Sequence, residues 1–273
     1  MRPLQLQGGK GLAGMRWNKQ TVMSGGVRLA VRDSGGDGAP AVLLHGLGAP
    51  QRSWDRVAPL LAPHLRVVTY DQRGHGASAA ASDYSLDAFL ADLQAVLDTL
   101  VLEQPLLVGH SFGGLVAVEN AAAHPGCVGV VGVDGGLKVE RPPVGWAEVQ
   151  AQLDRPVTRL LSRVVSAAGM GARLSVAELR WVADEAAERE DRLEEAYLRL
   201  PCPMLVVLAG KADPVPHGEA MLAAVNTAAT RLQQRHPQIQ LARLPCGHNI
   251  PLERPRELAD LISRFAESSA AQL

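Results

Sequence analysis

The sequence predicts an α/β fold built on a mostly parallel sheet. Short apolar runs alternate with longer amphipathic stretches, which is the rhythm of repeated strand–helix units. Many of these runs are continuous Val, Leu and Ile, as expected for strands covered on both faces. A chain of 273 residues has room for one large domain, or for one domain that carries an insertion.

The predicted elements can be placed in order from these patterns. A hairpin opens the core, with Thr21–Ser24 and Val27–Arg32 joined by Gly25-Gly26. The strands predicted after it are Ala41–Leu44, Leu65–Tyr70, Pro105–Val108, Val128–Val133, Met204–Leu208 and Ile239–Leu244. The predicted helices lie near Trp54–Leu61, Ser85–Leu100, Gly113–His124, Glu219–Gln234 and Arg256–Ala266. Most of these helices follow a strand, as expected when helices cover a parallel sheet.

One segment departs from this rhythm. From Lys138 to Leu200 the sequence shows helical periodicity and no convincing strand. Within it, Ser175-Val176-Ala177-Glu178 has the pattern of a capping box, which predicts the start of a helix. We therefore predict three parts: a loose N-terminal extension over residues 1–20, a core of residues 21–137 and 201–273, and an all-helical insertion over residues 138–200.

Composition narrows the classes of partner. The formal net charge is -1, from 27 basic and 28 acidic residues, so no basic field is available to attract nucleic acid or an anionic membrane. No apolar run of about 18 residues predicts a membrane span. The three cysteines, Cys127, Cys202 and Cys246, match neither a disulfide framework nor a metal site. We expect a cytoplasmic protein without a metal, and nothing in the sequence indicates its oligomeric state.

The segment Gly109-His110-Ser111-Phe112-Gly113 is the strongest chemical signal. The pattern Gly-x-Ser-x-Gly is weak alone, but here it follows a predicted strand and precedes a predicted helix. So tight a turn strains the serine backbone, and Gly109 and Gly113 relieve the crowding beside it. The helix also directs free N–H groups toward the turn. We predict that Ser111 is an activated nucleophile.

A serine hydroxyl needs a base, and the base needs a group that orients it. His248 follows the last predicted strand, which brings it to the same edge of the sheet as Ser111. Asp213 lies beyond Met204–Leu208, between the turn residues Gly210 and Pro214, and is the favoured acid. Asp134, directly after Val128–Val133, is the competing acid. Three other histidines, His45, His75 and His110, lie in turn motifs where roles in ordering the backbone are more plausible.

A glycine-rich loop, His45-Gly46-Leu47-Gly48, follows the strand Ala41–Leu44. Such a loop can present a backbone N–H to a developing negative charge. The N–H groups of Leu47 and Phe112 are the predicted pair of oxyanion donors.

Together these motifs resemble the α/β-hydrolase superfamily, in its serine branch with a short helical cap. The matching segments are His45–Gly48, Asp71–Ser78, Gly109–Gly114, Gly210–Asp213 and Gly247-His248. The resemblance implies an eight-stranded, mostly parallel sheet, a cap inserted at residues 138–200, and no metal or organic cofactor. In that family the segment similar to Asp71–Ser78 is a structural turn, and some members carry the acid one strand earlier, where Asp134 lies.

The resemblance implies hydrolysis of a carboxylic ester, lactone or thioester, with a small-molecule acyl substrate. Cleavage of a carbon–carbon bond in a β-diketone or ring-fission product uses the same three residues and is the runner-up. A biosynthetic cyclase or acyltransferase is a third expectation. From a different class comes a ligand-sensing protein that keeps the catalytic residues.

Overall fold

The computed structural model describes residues 16–140, 171–215 and 217–271. Its centre is one eight-stranded sheet. The strands are β1 (Asn18–Ser24), β2 (Val27–Asp33), β3 (Ala39–Leu44), β4 (Leu65–Tyr70), β5 (Leu106–His110), β6 (Gly129–Val133), β7 (Met204–Ala209) and β8 (Gln240–Leu244). They are arranged in the order β1-β2-β4-β3-β5-β6-β7-β8. The β1–β2 hairpin joins β4 antiparallel, and β3 to β8 pair in parallel.

Helices cover both faces of the sheet. The described α-helices are α1 (Ala58–Leu61), α2 (Leu86–Thr99), α3 (Phe112–Ala123), α4 (Val176–Glu190), α5 (Leu193–Arg199), α6 (Gly218–Arg235), α7 (Ile250–Glu253) and α8 (Pro255–Ala270). Side chains of α2 to α6 pack on one face of the sheet, and side chains of α1, α7 and α8 pack on the other. Consecutive residues of a strand belong to different cores, because successive side chains of a strand point to opposite faces. The predicted fold class is confirmed.

Two predicted elements differ from those observed. The first strand begins at Asn18, inside the predicted N-terminal extension, because Asn18 pairs with Asp33 at the end of a longer hairpin. The predicted helix over Trp54–Leu61 is instead a 3-10 turn at Gln51–Trp54 followed by the single turn α1. Proline at position 59 fits the first turn of a helix but not its interior, so α1 cannot continue back to Trp54.

The capping box is confirmed at the start of α4. The Ser175 hydroxyl accepts a hydrogen bond from the Glu178 N–H at 3.2 Å, and the Glu178 carboxylate accepts one from the Ser175 N–H at 2.6 Å. Helices α4 and α5 lie between β6 and β7, inside the predicted insertion. The described part of that insertion, residues 138–140 and 171–200, contains an isolated bridge at Ala172 and no longer strand. The rest of the predicted insertion lies outside the described residues.

None of the described helices is both long enough and apolar enough to cross a bilayer.

Candidate active site

Ser111 lies at the tight turn between β5 and α3. Its φ of 53° and ψ of -119° place a non-glycine residue in a strained backbone conformation. The neighbouring glycines make the turn possible: a Cβ on Gly109 would overlap the carbonyl of Gly113, and a Cβ on Gly113 would lie 2.6 Å from the Leu44 oxygen. Backbone hydrogen bonding holds the turn, since the Ser111 N–H donates to the Val133 carbonyl at 2.9 Å. This is the geometry expected for an exposed nucleophile.

All of the predicted site residues line one cavity of about 370 Å³. These residues are Leu47, Ser111, Phe112, Asp213 and His248, together with the competing acid Asp134. Much of the remaining wall is apolar and comes from Leu137, Val139, Ala183, Ala186, Leu208, Val215, Met221, Leu222 and Val225. The cavity thus joins a polar reaction centre to an apolar surface suited to a hydrocarbon group.

The ring of His248 is bound by Asp134. The distance from His248 Nδ1 to Asp134 Oδ2 is 2.6 Å, and the Asp134 side chain is 8% exposed. The second carboxylate oxygen of Asp134 accepts a hydrogen bond from the Ala209 N–H at 2.9 Å. Because Asp134 is fixed by the backbone of β7, it can fix the orientation of the imidazole.

Asp213 contacts the same histidine at a different point. Its two carboxylate oxygens accept from the His248 backbone N–H at 3.1 and 3.3 Å. The sequence prediction that Asp213 orients the His248 ring therefore needs correction: in this geometry Asp134 meets the ring and Asp213 anchors the loop. The reason lies in the local hydrogen bonds. The Ala209 N–H of β7 holds the Asp134 carboxylate against the ring, whereas the His248 N–H engages the Asp213 carboxylate at the backbone of the loop.

His110 binds the backbone carbonyl of His248. Its Nε2 lies 2.9 Å from the His248 carbonyl oxygen, and the two rings are 4.8 Å apart. Burial lowers the pKa of His110 to about 4, so the ring is neutral near pH 7, and its Nε2–H donates to that carbonyl. This contact agrees with the expectation that His110 orders the backbone. Its partner His248 lies 138 residues away along the chain, so no local pattern in the sequence could indicate the contact.

The glycine-rich loop at residues 45–48 is held by two more buried imidazoles. His45 Nε2 accepts from the Gln72 N–H at 3.0 Å, and His75 Nε2 accepts from the Gly48 N–H at 3.0 Å. Burial lowers the pKa of His45 to about 4 and that of His75 to about 3, so both rings are neutral acceptors. The turn at residues 71–78 therefore fixes the loop that carries the predicted donor Leu47.

The second predicted donor, Phe112, is the first residue of α3. The first N–H groups of a helix have no partner inside the helix, so this N–H is available to an oxyanion. Leu47 and Phe112 border the cavity on which Ser111 opens. The geometry thus places Ser111, an oriented histidine and two candidate oxyanion donors around one cavity.

The turn at residues 71–78 also contacts the segment before α4. The Gly76 N–H donates to the Gly171 carbonyl at 3.0 Å, and the Arg173 N–H donates to the Gly74 carbonyl at 2.7 Å. Through His75 and these two bonds, one turn touches both the glycine-rich loop and the insertion.

Among known proteins, the chain is similar to several hydrolases. It is 27% identical over 269 residues to the lipase LipV of Mycobacterium tuberculosis, covering 86% of this chain and 97% of that protein. It is 38% identical over 109 residues to a 2-hydroxymuconate semialdehyde hydrolase of Pseudomonas sp. strain CF600. That second alignment spans only 38% of each protein, so this relative is matched over well under two thirds of its length.

Solved structures agree with the fold. A crystal structure provisionally described as an aryl esterase from Burkholderia cenocepacia matches with a TM-score of 0.73 and 25% identity, over 93% of this chain and all of that one. The enol-lactonase from Burkholderia xenovorans LB400 matches with a TM-score of 0.70 and 21% identity, over 91% of this chain. The model of the alpha/beta hydrolase family matches residues 41–261, which is most of the chain. The chain therefore belongs to the alpha/beta hydrolase family.

Proposed function

We propose that this protein is a serine hydrolase that cleaves a carboxylic ester, lactone or thioester through an acyl-enzyme intermediate. One observation carries the proposal: Ser111, on a strained strand-to-helix turn, opens on the same cavity as a histidine whose ring is bound by a buried carboxylate. A serine, a base and an orienting acid at one site are the parts that acyl transfer requires.

The first half of the reaction forms the acyl-enzyme. Ser111 Oγ attacks the substrate carbonyl carbon while His248 Nε2 takes the hydroxyl proton. The hydrogen bond from Nδ1 to Asp134 stabilises the resulting imidazolium. The N–H groups of Leu47 and Phe112 hold the oxyanion, and each such donor is worth about 3 kcal/mol in comparable sites. His248 then passes the proton to the leaving group.

The second half releases the acyl group. Water attacks the acyl-enzyme carbonyl, and His248 serves again as base and then as acid toward Ser111. Asp213 and His110 take no part in proton transfer in this scheme. They are positioning residues: Asp213 binds the backbone N–H of His248, and His110 binds its backbone carbonyl.

Covalent labelling tests the nucleophile. A serine-directed fluorophosphonate should add one label to the wild-type protein and none to Ser111→Ala, as measured by intact mass. Ser268→Ala on α8 is the matched control, because its hydroxyl bonds a helix carbonyl and should not affect labelling. A folded wild-type protein that takes no label, or a Ser111→Ala variant that is still labelled, would overturn the assignment.

Turnover tests the reaction. The wild-type protein should hydrolyse p-nitrophenyl esters with a burst of nitrophenol equal to the enzyme concentration if deacylation is slow. Ser111→Ala should lose at least about 10³-fold in kcat, since removal of a triad nucleophile is among the largest losses known. Retention of esterase activity in that variant would exclude a Ser111 mechanism.

A second candidate is hydrolysis of a carbon–carbon bond. It is favoured by the similarity to the 2-hydroxymuconate semialdehyde hydrolase. The same Ser111 site would serve, with a carbanion rather than an alkoxide as leaving group. Comparing kcat/KM for a ring-fission diketone with that for p-nitrophenyl esters on one preparation distinguishes the two: a ratio far above one favours the second candidate.

A further inference from the structure

Two of the three cysteines meet at the amino-terminal ends of two neighbouring strands, opposite the strand ends where the active site lies. Cys127 precedes β6 and Cys202 precedes β7, and these strands are neighbours with Val130 opposite Met204. The two sulfur atoms are 3.1 Å apart, although 75 residues separate the cysteines along the chain. Both are free thiols and partly exposed. The Ser111 cavity lies at the carboxyl ends of these strands, so the pair is separate from that site.

The two thiols differ in the surface that they border. Cys127 lines a surface groove of about 730 Å³, and Cys202 is not among the residues that border it. The groove runs between the end of α2, the loop after it and the end of α3, and its charged lining residues are Asp98 and Glu103. A small molecule that enters this groove therefore meets Cys127, and the negative charges favour a neutral or cationic one.

The two thiols also differ in acidity. The hydrogen bond with Cys202 lowers the pKa of Cys127, and the backbone N–H groups of Cys127 and Gly129 lower it further. The same hydrogen bond, with burial, raises the pKa of Cys202. The thiolate forms preferentially on the cysteine that the groove exposes.

We infer that Cys127 and Cys202 form a thiol–disulfide exchange site, in which Cys127 attacks a low-molecular-weight disulfide and Cys202 resolves the adduct. The Cys127 thiolate bonds to one sulfur of the small disulfide, whose S–S bond breaks and releases one thiolate. Cys202 gives its proton to solvent and attacks Cys127 Sγ, which expels the second thiolate. The two protein thiols are oxidised by two electrons, and the small disulfide is reduced to two thiols.

The product closes a covalent loop from residue 127 to residue 202, which includes β6, α4 and α5. The sulfur atoms must approach by about 1 Å to reach the length of a disulfide bond, a movement within reach of side-chain rotation. Closing so long a loop restricts the unfolded chain, so Tm should rise on the order of 10 °C on oxidation. Turnover at the Ser111 site should stay within about twofold, because the strands between the two sites are buried in close-packed cores.

The experiment uses cystamine, a cationic disulfide, and oxidised glutathione, an anionic one. Treated wild-type protein should lose two hydrogen masses and carry no adduct, and peptide mapping should find Cys127 joined to Cys202. Cys202→Ser should stop at one cysteamine or one glutathione on Cys127, because the resolving thiol is missing. Cys127→Ser should react at least about tenfold more slowly. Cys246→Ser is the matched control and should behave as wild type.

Several results would overturn the inference. One is a disulfide-treated wild-type protein that still has three free thiols, with its folding verified by circular dichroism. The others are a disulfide that includes Cys246, and equal adduct formation in Cys127→Ser and Cys202→Ser. Faster reaction with oxidised glutathione than with cystamine at low salt would exclude the acidic groove as the entrance. Alanine at each position provides a second pair of variants should either serine variant fold poorly.

Discussion

At the residue scale, one histidine is held at two levels. Asp134 binds the ring of His248, and Asp213 binds its backbone N–H. Asp134 can serve the ring because its backbone has a φ of 44°, a left-handed conformation that directs the carboxylate between β7 and the imidazole. Such a strained conformation at a non-glycine residue is typical of functional sites. The two carboxylates are therefore expected to differ in what their removal costs.

Asp134→Asn should lower kcat for ester hydrolysis by about 10² to 10⁴-fold, because an amide cannot stabilise the imidazolium and favours the wrong tautomer. Asp213→Asn keeps an oxygen that can accept from the His248 N–H, so its loss should stay within about tenfold. The two variants differ by the same chemical change, and each controls for the other. Steady-state kinetics measures both; a larger loss in Asp213→Asn would restore Asp213 as the orienting acid.

At the element scale, the turn at residues 71–78 organises its surroundings. Its His75 side chain binds the glycine-rich loop, and its backbone forms hydrogen bonds with the segment before α4. A buried ion pair holds the turn itself: the Arg73 guanidinium meets the Asp92 carboxylate of α2 at 2.7 and 2.8 Å. We expect such a turn to act on the proposed chemistry indirectly, through the position of the Leu47 N–H.

Replacement of His75 tests that indirect role. Gln at this position can place an oxygen near the site of Nε2 and accept from the Gly48 N–H, whereas Asn is too short to reach it. His75→Asn should therefore lose about 1–3 kcal/mol of stability through the unpaired N–H. Its kcat should fall with KM little changed, since oxyanion binding acts in the transition state. His75→Gln should recover most of both losses; equal effects in the two variants would contradict the role.

At the scale of the whole molecule, the sheet buries two apolar cores and also three neutral imidazoles. His45, His75 and His110 are all buried and accept or donate hydrogen bonds to backbone groups. Their pKa values are lowered to about 4, about 3 and about 4, because burial disfavours the charged ring. The unfolded chain has no such burial, so its histidines titrate near their ordinary value.

This difference links stability to pH. As pH falls below about 6.5, the unfolded histidines take protons while the folded ones do not, so the unfolded state gains stability. The contribution is fully present above about pH 6.5 and is lost as pH falls toward 3 to 4. Three such groups predict a fall in the free energy of unfolding of up to about 4 kcal/mol per pH unit between pH 6 and pH 4.5.

Urea unfolding at pH 7, 6 and 5 measures this slope. In His75→Gln the slope should drop by about one third, because one of the three titrating groups is gone. A free energy of unfolding that stays constant from pH 7 to pH 5 would show that these imidazoles are not buried neutral in the folded protein.

The sequence alone predicted the parts whose signals are local. Apolar runs and helical periodicity identified the eight strands and most helices, because burial on a sheet imposes its pattern on consecutive residues. The capping box identified the start of α4. The glycines on either side of Ser111 identified a turn in which a Cβ at their positions would overlap the backbone. Each of these signals involves groups within a few residues of one another.

Tertiary structure decided the pairings between distant parts. Periodicity does not specify which side chains meet beyond the ends of the strands, and only the folded backbone brings Asp134 rather than Asp213 to the ring of His248. The pairing of β6 with β7 likewise brings Cys127 to Cys202, two thiols that sequence spacing had left unconnected. Chain distance does not measure spatial distance once parallel strands align their ends, so the composition of the site is readable in sequence, while its connections are made only by the fold.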